Sequence, residues 1–269
     1  MRHRLLLAVV TFAFALPLAA CNDPESVAMI LDAAEHTLAS GSAAFEMRVA
    51  VEGSEQIPDG QITGSGAASY EDPKLMHGTF DFGALPVGTI EVIVDERFAY
   101  LRGAAFAGLV GDGQTWLRVD LTSTDATARE LQGLVSGQND ASLLLYYLFG
   151  ANGELESLGT ESIGGVESTG YGVSLDLDEA LARVPEEARE ALRLNLDEFT
   201  QGGIAHVLDA DVWIDGEGFV RRLVFVYELG DAVGGGRISV TSDLSAFGEP
   251  VEVETPADDE VVDVEDLAA

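Results

Sequence analysis

Cysteine is almost absent from this chain of 269 residues: Cys21 is the only one, so no disulfide within the chain can brace the fold. Positive charge is nearly as scarce, with 14 Lys and Arg against 47 Asp and Glu, a formal net charge of −33, and Lys74 as the sole lysine. That balance argues against a basic patch for nucleic acid or for anionic lipid headgroups. Beyond position 20 the only histidines are His36, His77 and His206, far apart and without metal-ligand spacing, so each reads as a solvated or satisfied side chain. There is no Gly-x-Ser-x-Gly, no His-Glu-x-x-His and no phosphate loop, and Gly111-Asp112-Gly113 is only a glycine turn before a strand. A glycosidase pair cannot be picked from so many carboxylates without a fold. The expectation is therefore a protein that is not an enzyme, with no cofactor, no metal and no nucleic-acid partner. Asp209, Asp211 and Asp215 with Glu217 come nearest to a calcium site, but they lack EF-hand spacing and read as a solvated acidic edge. Carboxylates this dense point to a high-salt habitat, where screening weakens their mutual repulsion.

What the chain does have begins at its N-terminus. Arg2, His3 and Arg4 are followed by an almost wholly apolar run from Leu5 to Leu18, then by small residues at Ala19 and Ala20, the pattern of a secretory signal peptide. The run is shorter than the roughly 20 apolar residues of a spanning helix. Leu18-Ala19-Ala20-Cys21 is similar to the bacterial lipobox, in which the cysteine thiol is acylated and becomes the new N-terminus. An ordinary secretory signal with a chance cysteine, or an uncleaved anchor, are the alternatives; lipidation of Cys21 explains why one cysteine stands there. The organisation expected is a signal peptide over 1–20, a lipid-anchored leader over 21–26, a binding domain over 27–256 and an acidic tail over 257–269. The protein would then sit on the cell membrane, lipid-anchored, on its extracytoplasmic side. Loss of Arg2 and Arg4 with the signal makes the mature chain still more acidic.

After the leader the hydrophobic period changes twice. Met29, Ile30, Ala33, Ala34, Thr37 and Leu38 have helical spacing, ended by Ser40-Gly41-Ser42. From Phe45 to Glu52 large apolar residues alternate with charged or small ones, as in a half-buried antiparallel strand. Strands are expected over 61–70, 75–82, 89–94 and 97–101, with no helix between them, which makes an antiparallel meander the economical topology. In the middle, 104–110 reads as an apolar loop, 115–119 as a short strand and 126–135 as a helix. Ser142 to Phe149 is a helix apolar on every side, which must be buried all round or face a greasy cavity. Strands return over 155–163 and 166–177, a charged helix follows over 186–199 after Pro185, and strands over 205–214, 219–229 and 237–244 close the sheet. The stretch Asp258 to Asp266 alternates acids with valine and reads as a solvated tail in preference to an edge strand.

Several of these segments together resemble a family: the lipobox, the first helix, Ser42-Ala43-Ala44-Phe45, the corner from Val94-Asp95 to Tyr100-Leu101-Arg102 with Trp116 after it, Val212-Trp213-Ile214-Asp215 to Val220-Arg221-Arg222-Leu223, and Phe247-Gly248-Glu249-Pro250-Val251. The chain resembles, over most of its mature length, the actinobacterial lipoproteins of the LppX/LprG type. The resemblance implies an α+β fold like that of the LolA and LolB carriers, one strongly curved antiparallel sheet forming an unclosed half-barrel, with helices on its concave face. Between them the family holds an apolar cavity for the acyl chains of a lipid or glycolipid. The implied function is a non-catalytic envelope lipoprotein that carries or presents such a lipid, with an envelope transporter or assembly protein as a further partner. Candidate lining is Phe45, Met47, Val49 and Val51 from one strand, Ile90, Val92 and Val94 from another, and Leu143, Leu144, Tyr147 and Leu148 from the apolar helix. Periodicity leaves open whether these residues wall a cavity or fill a core. The alternative function is an envelope scaffold or sensor that binds a protein partner without an internal lipid, which a large apolar patch on the convex face would favour. The extreme acidity is the one departure from the family pattern, and it bears on whether anionic glycolipids are the ligand.

Overall fold

The computed structural model describes residues 26–55, 58–71, 74–83, 85–110, 113–125, 127–129, 131–132, 141–231 and 234–268. The expected signal peptide, the lipidation of Cys21, and most of the glycine turn at 111–113 lie outside the described residues, as does part of the expected helix at 126–135. Of that helix, residues 127–129 and 131–132 are helical.

Twelve strands form one sheet: β1 (Ser42–Glu52), β2 (Gly60–Ser69), β3 (Leu75–Asp81), β4 (Thr89–Asp95), β5 (Phe98–Gly103), β6 (Trp116–Asp120), β7 (Ala151–Ile163), β8 (Val166–Asp176), β9 (Val207–Asp215), β10 (Val220–Glu228), β11 (Arg237–Ser245) and β12 (Val261–Asp263). Their order is β12-β6-β5-β4-β3-β2-β1-β11-β10-β9-β8-β7, and the two end strands do not pair, so the sheet is not closed into a barrel. Every neighbouring pair is antiparallel except the last at one edge.

The register sorts side chains cleanly. Facing residues in β1 and β11 pair Met47 with Ser242, Val49 with Val240 and Val51 with Ile238, while Glu46, Arg48 and Asp243 point the other way. One face is therefore apolar and the other carries charge, the alternation of an antiparallel sheet with one wet side. On the wet face ion pairs bridge adjacent strands, among them Arg222 with Asp243 at 2.5 Å and Arg237 with Glu228 at 3.0 Å. Exposed pairs of this kind add little stability each, so the apolar face dominates.

The sheet's curvature is legible in its glycines. Gly64 and Gly66 of β2 and Gly78 of β3 all lie on the apolar face, and a Cβ built on Gly66 would sit 2.1 Å from the carbonyl oxygen of His77. Strands approach this closely only where no side chain intervenes. The rings of Phe45 and Phe80, 6.2 Å apart, cover the bare patch.

Four α-helices lie against the apolar face: α1 (Val27–Leu38), α2 (Ala141–Tyr147), α3 (Leu177–Arg183) and α4 (Glu186–Gly202). In α1, Ile30, Ala33, Ala34 and Thr37 are buried, and Thr37 ties the helix to β10 by accepting the Val220 N–H at 2.9 Å while its own hydroxyl donates to the Ala33 carbonyl at 2.7 Å. Helix α3 falls partly where a strand through residue 177 was expected. The sequence signal was Asp176, whose carboxylate accepts the N–H groups of Asp178 and Glu179 and so starts a helix with acids in its first turn.

The C-terminal segment corrects the expectation of a solvated tail. Residues 249–257 cross the wet face as an extended strap, and Val261–Asp263 then pair in parallel with β6. Val261, buried with Ile93, Tyr100 and Trp116, anchors the strap, and the Arg118 guanidinium donates twice to Asp263, at 2.5 and 2.8 Å. A parallel pair needs a long crossover, here the chain between residues 120 and 261, of which the strap is the last part.

Candidate functional site

An apolar cavity of about 280 Å³ lies between the concave face and the helices. Its sheet wall is made by Met47 and Val49 of β1, Ile62 of β2, Phe80 of β3, Ile90 and Val92 of β4, and Leu101 of β5. On the other side Ile238 and Val240 of β11 and Tyr227 of β10 complete that wall. These seven adjacent strands would span close to 30 Å if flat, at about 4.8 Å per step. One small cavity touches them all because the sheet is curled around it. Phe82 and Phe106, just beyond the ends of β3 and β5, close one side, with Leu143, Leu144 and Tyr147 of α2 and Asn195, Glu198 and Phe199 of α4 across the top, beside Ile204.

Two helices present this lining for local reasons. Leu143, Leu145 and Tyr147 of α2 are each no more than 3% exposed, and the helix continues into a 3-10 turn at Leu148–Gly150, so the apolar run is both packed and turned to the cavity. In α4, Ala188, Leu192, Asn195, Leu196 and Phe199 form the buried stripe, while Glu186–Arg189 and Glu190–Arg193 pairs occupy the wet side. Asn195 is thus a polar residue on an apolar stripe, and it receives the Tyr147 hydroxyl as a hydrogen bond on Oδ1. Burial, with Tyr227 and Glu198 nearby, pushes the Tyr147 phenol well above its ordinary pKa, and burial alone does the same to Tyr227. Both phenols stay protonated, and the Tyr147 hydroxyl is the donor to Asn195.

Of the sequence candidates, Met47, Val49, Ile90, Val92, Leu143, Leu144 and Tyr147 are brought together at the cavity. Four stand elsewhere. Phe45 covers the glycine patch, its ring tip 3.3 Å from where a Gly78 Cβ would lie. Val94 (7% exposed) and Leu148 (fully buried) are packed into the core, and Val51 is half-buried near the end of β1. Half of the lining residues that sequence reasoning passed over stand on β10, β11 and α4, and the other half on β2, β3, β5 and the connecting segments. For the first half the signals were the alternation Leu223, Phe225, Tyr227 and the interruption of the α4 stripe at Asn195.

The acidic residues of β9 behave differently from one another. Burial works to raise the pKa of Asp215, but its hydrogen bonds from Arg221 Nε at 2.6 Å and from the backbone N–H of Phe219 and Glu217 outweigh this and hold it below the ordinary value. Asp215 is thus a buried ion-pair partner rather than part of a solvated edge. Asp211 is shifted upward, by burial first and then by Glu156 and Asp209. Among the described residues no group of three or more His, Cys, Asp or Glu could hold a metal ion. A depressed folded-state pKa gives stability that is present above the unfolded value near 4 and lost as pH falls through the folded one. Asp215→Ala should therefore cost about 3 to 5 kcal/mol at neutral pH by leaving Arg221 unpaired. Asp215→Asn should lose the part of the acid-limb slope that Asp215 contributes in urea unfolding below about pH 4. An unchanged acid limb would contradict this assignment.

Among the described residues, His206 makes an arrangement that looks catalytic. Its Nε2 is 3.0 Å from the Thr200 hydroxyl and its Nδ1 is 3.3 Å from Asp178. The Thr200 hydroxyl also lies 3.0 Å from the Leu196 carbonyl, so these contacts tie α3, α4 and the loop into β9 together.

No family model and no curated protein matches the chain. Among solved structures it is similar to the Mycobacterium tuberculosis lipoprotein LppX, at 17% identity over 85% of this chain and 97% of that one with a TM-score of 0.48. It is similar also to LprF from Mycobacterium bovis, at 14% identity over 86% and 96% with a TM-score of 0.49. A more distant likeness is to a putative outer membrane lipoprotein-sorting protein domain from Vibrio parahaemolyticus, at 8% identity over 82% and 92% with a TM-score of 0.28. These likenesses are of fold alone.

Proposed function

We propose that this chain is a non-catalytic envelope lipoprotein, anchored through Cys21, that holds the acyl part of a lipid or glycolipid in its concave cavity and carries or presents it outside the cytoplasmic membrane. The observation that carries the reading is the cavity itself: about 280 Å³, walled by apolar side chains from seven strands and two helices. Burial of an acyl chain there gains roughly 0.8 kcal/mol per methylene, so tight binding needs no charged contact. The scaffold reading called for a large apolar patch on the convex face. That face carries ion pairs, among them Arg222 with Glu161 and Asp243 and Arg237 with Glu228.

The signal peptide over 1–20 and the acyl anchor on Cys21 are part of the same proposal, because the short leader to α1 keeps the cavity near the bilayer. The chain without residues 1–20 and with Cys21→Ser should stay out of the membrane fraction and move a fluorescent acyl lipid between donor and acceptor vesicles at a rate proportional to protein concentration. A rate equal to the protein-free exchange would refute carriage. Membrane binding of this shortened protein equal to that of the acylated one would refute the anchor.

A further inference from the structure

The cavity is apolar except along one wall, and that wall offers hydrogen-bond donors with nothing to receive them. Tyr147 occupies Asn195 Oδ1, which leaves the amide Nδ2 as the free end of that side chain. Neither Asn195 Nδ2 nor Tyr227 Oη has a hydrogen-bond partner among the described residues, yet both atoms keep accessible surface. In residues only 3% and 6% exposed, that surface opens on the cavity they line. A donor that faces an apolar cavity without an acceptor is costly, and native proteins satisfy such groups with a bound group or water. At the exposed side of the same cavity stands Glu198, which no ion pair neutralises among the described residues, in a chain of net charge −33. An anionic headgroup or a free carboxylate would meet that charge on entering. The volume, just under the roughly 300 Å³ at which ligand pockets begin, suits one chain in this conformation.

The geometry points to an uncharged, single-chain acyl ester as the occupant, its ester oxygens accepting hydrogen bonds from Asn195 Nδ2 and Tyr227 Oη while Glu198 turns away anions. This rests on the lipid-binding reading and narrows it to a ligand class. Tyr227→Phe is a clean probe, because it removes a hydroxyl that makes no hydrogen bond within the described residues and so should not lower the melting temperature.

The test measures calorimetric affinities of the unacylated chain (Cys21→Ser) for 1-lauroylglycerol, laurate and dodecane at pH 8. Lauroylglycerol is expected to bind at least tenfold tighter than laurate. Tyr227→Phe should weaken lauroylglycerol about tenfold and leave dodecane unchanged, the effect of one lost hydrogen bond. Glu198→Gln should improve laurate severalfold and leave lauroylglycerol as it was. If all three probes bind alike and Tyr227→Phe changes none of them, the polar anchor is wrong while the cavity still binds lipid. If none of the three binds, the lipid-binding reading beneath it falls as well.

Discussion

Gly66→Val is expected to prevent folding, or to cost more than about 4 kcal/mol, the range reserved for substitutions with a specific structural cause. A Cβ at this position would lie 2.1 Å from the His77 carbonyl oxygen and 2.7 Å from the Gly78 Cα, and both are backbone atoms that no rotamer change can move. Relief requires β3 to draw away from β2 across the pairs Ser65–Thr79, Gly66–Gly78 and Ala67–His77. That would open the sheet where it curls around the cavity and uncover the Phe45–Phe80 pair. Gly216, in the turn between β9 and β10, has an ordinary φ and open space where a Cβ would go, so Gly216→Ala should stay within about 0.5 kcal/mol of the parent. Urea unfolding followed by circular dichroism compares the two. A Gly66→Val protein within about 1 kcal/mol of the parent would mean that the sheet is not held this tightly at β2–β3.

The second large effect is on binding without loss of stability. Val49 and Val240 face each other across β1 and β11, both half-buried and both on the cavity wall. Val49→Phe with Val240→Phe puts two rings into the void. In a packed core such enlargement costs about 1 to 3 kcal/mol, but here empty space receives it, and a cross-strand aromatic pair adds about 0.5 to 1.5 kcal/mol. The double variant should melt at or above the parent temperature and lose at least 100-fold in affinity for acyl ligands. A filled variant that still binds would place the ligand elsewhere. A sharply destabilised variant would show that these side chains already fill the interior.

Much of this fold can be read in the sequence because the curved sheet has one dry and one wet face, and that contrast prints a period of two on each strand. The alternation Phe45, Met47, Val49, Val51 identifies the dry face correctly. It says nothing about what lies across from each residue. Met47 and Val49 meet empty space, while Phe45 meets a glycine patch built by β2 and β3 and is packed solid. The same holds along α2 and the 3-10 turn after it, where Leu144 lines the cavity and fully buried Leu148 packs in the core. The C-terminal edge strand was hidden for another reason: its short acidic sequence joins β6 through Arg118 and Asp263, residues 145 positions apart, and no local signal carries such a pairing. Asn195 interrupts the apolar stripe of α4, and with Tyr147, Tyr227 and Glu198 it supplies the polar groups of an otherwise greasy wall.

The central claim is that the concave cavity holds lipid, and native mass spectrometry of the membrane-anchored protein, released in a mild detergent and stripped of it by collision in the gas phase, tests it most directly. Besides the acylated chain, the spectrum should contain a population heavier by the mass of one lipid. That population should be absent from the Val49→Phe/Val240→Phe variant prepared in parallel. A single species at the mass of the acylated chain, or an adduct equally abundant in the filled variant, would contradict the account.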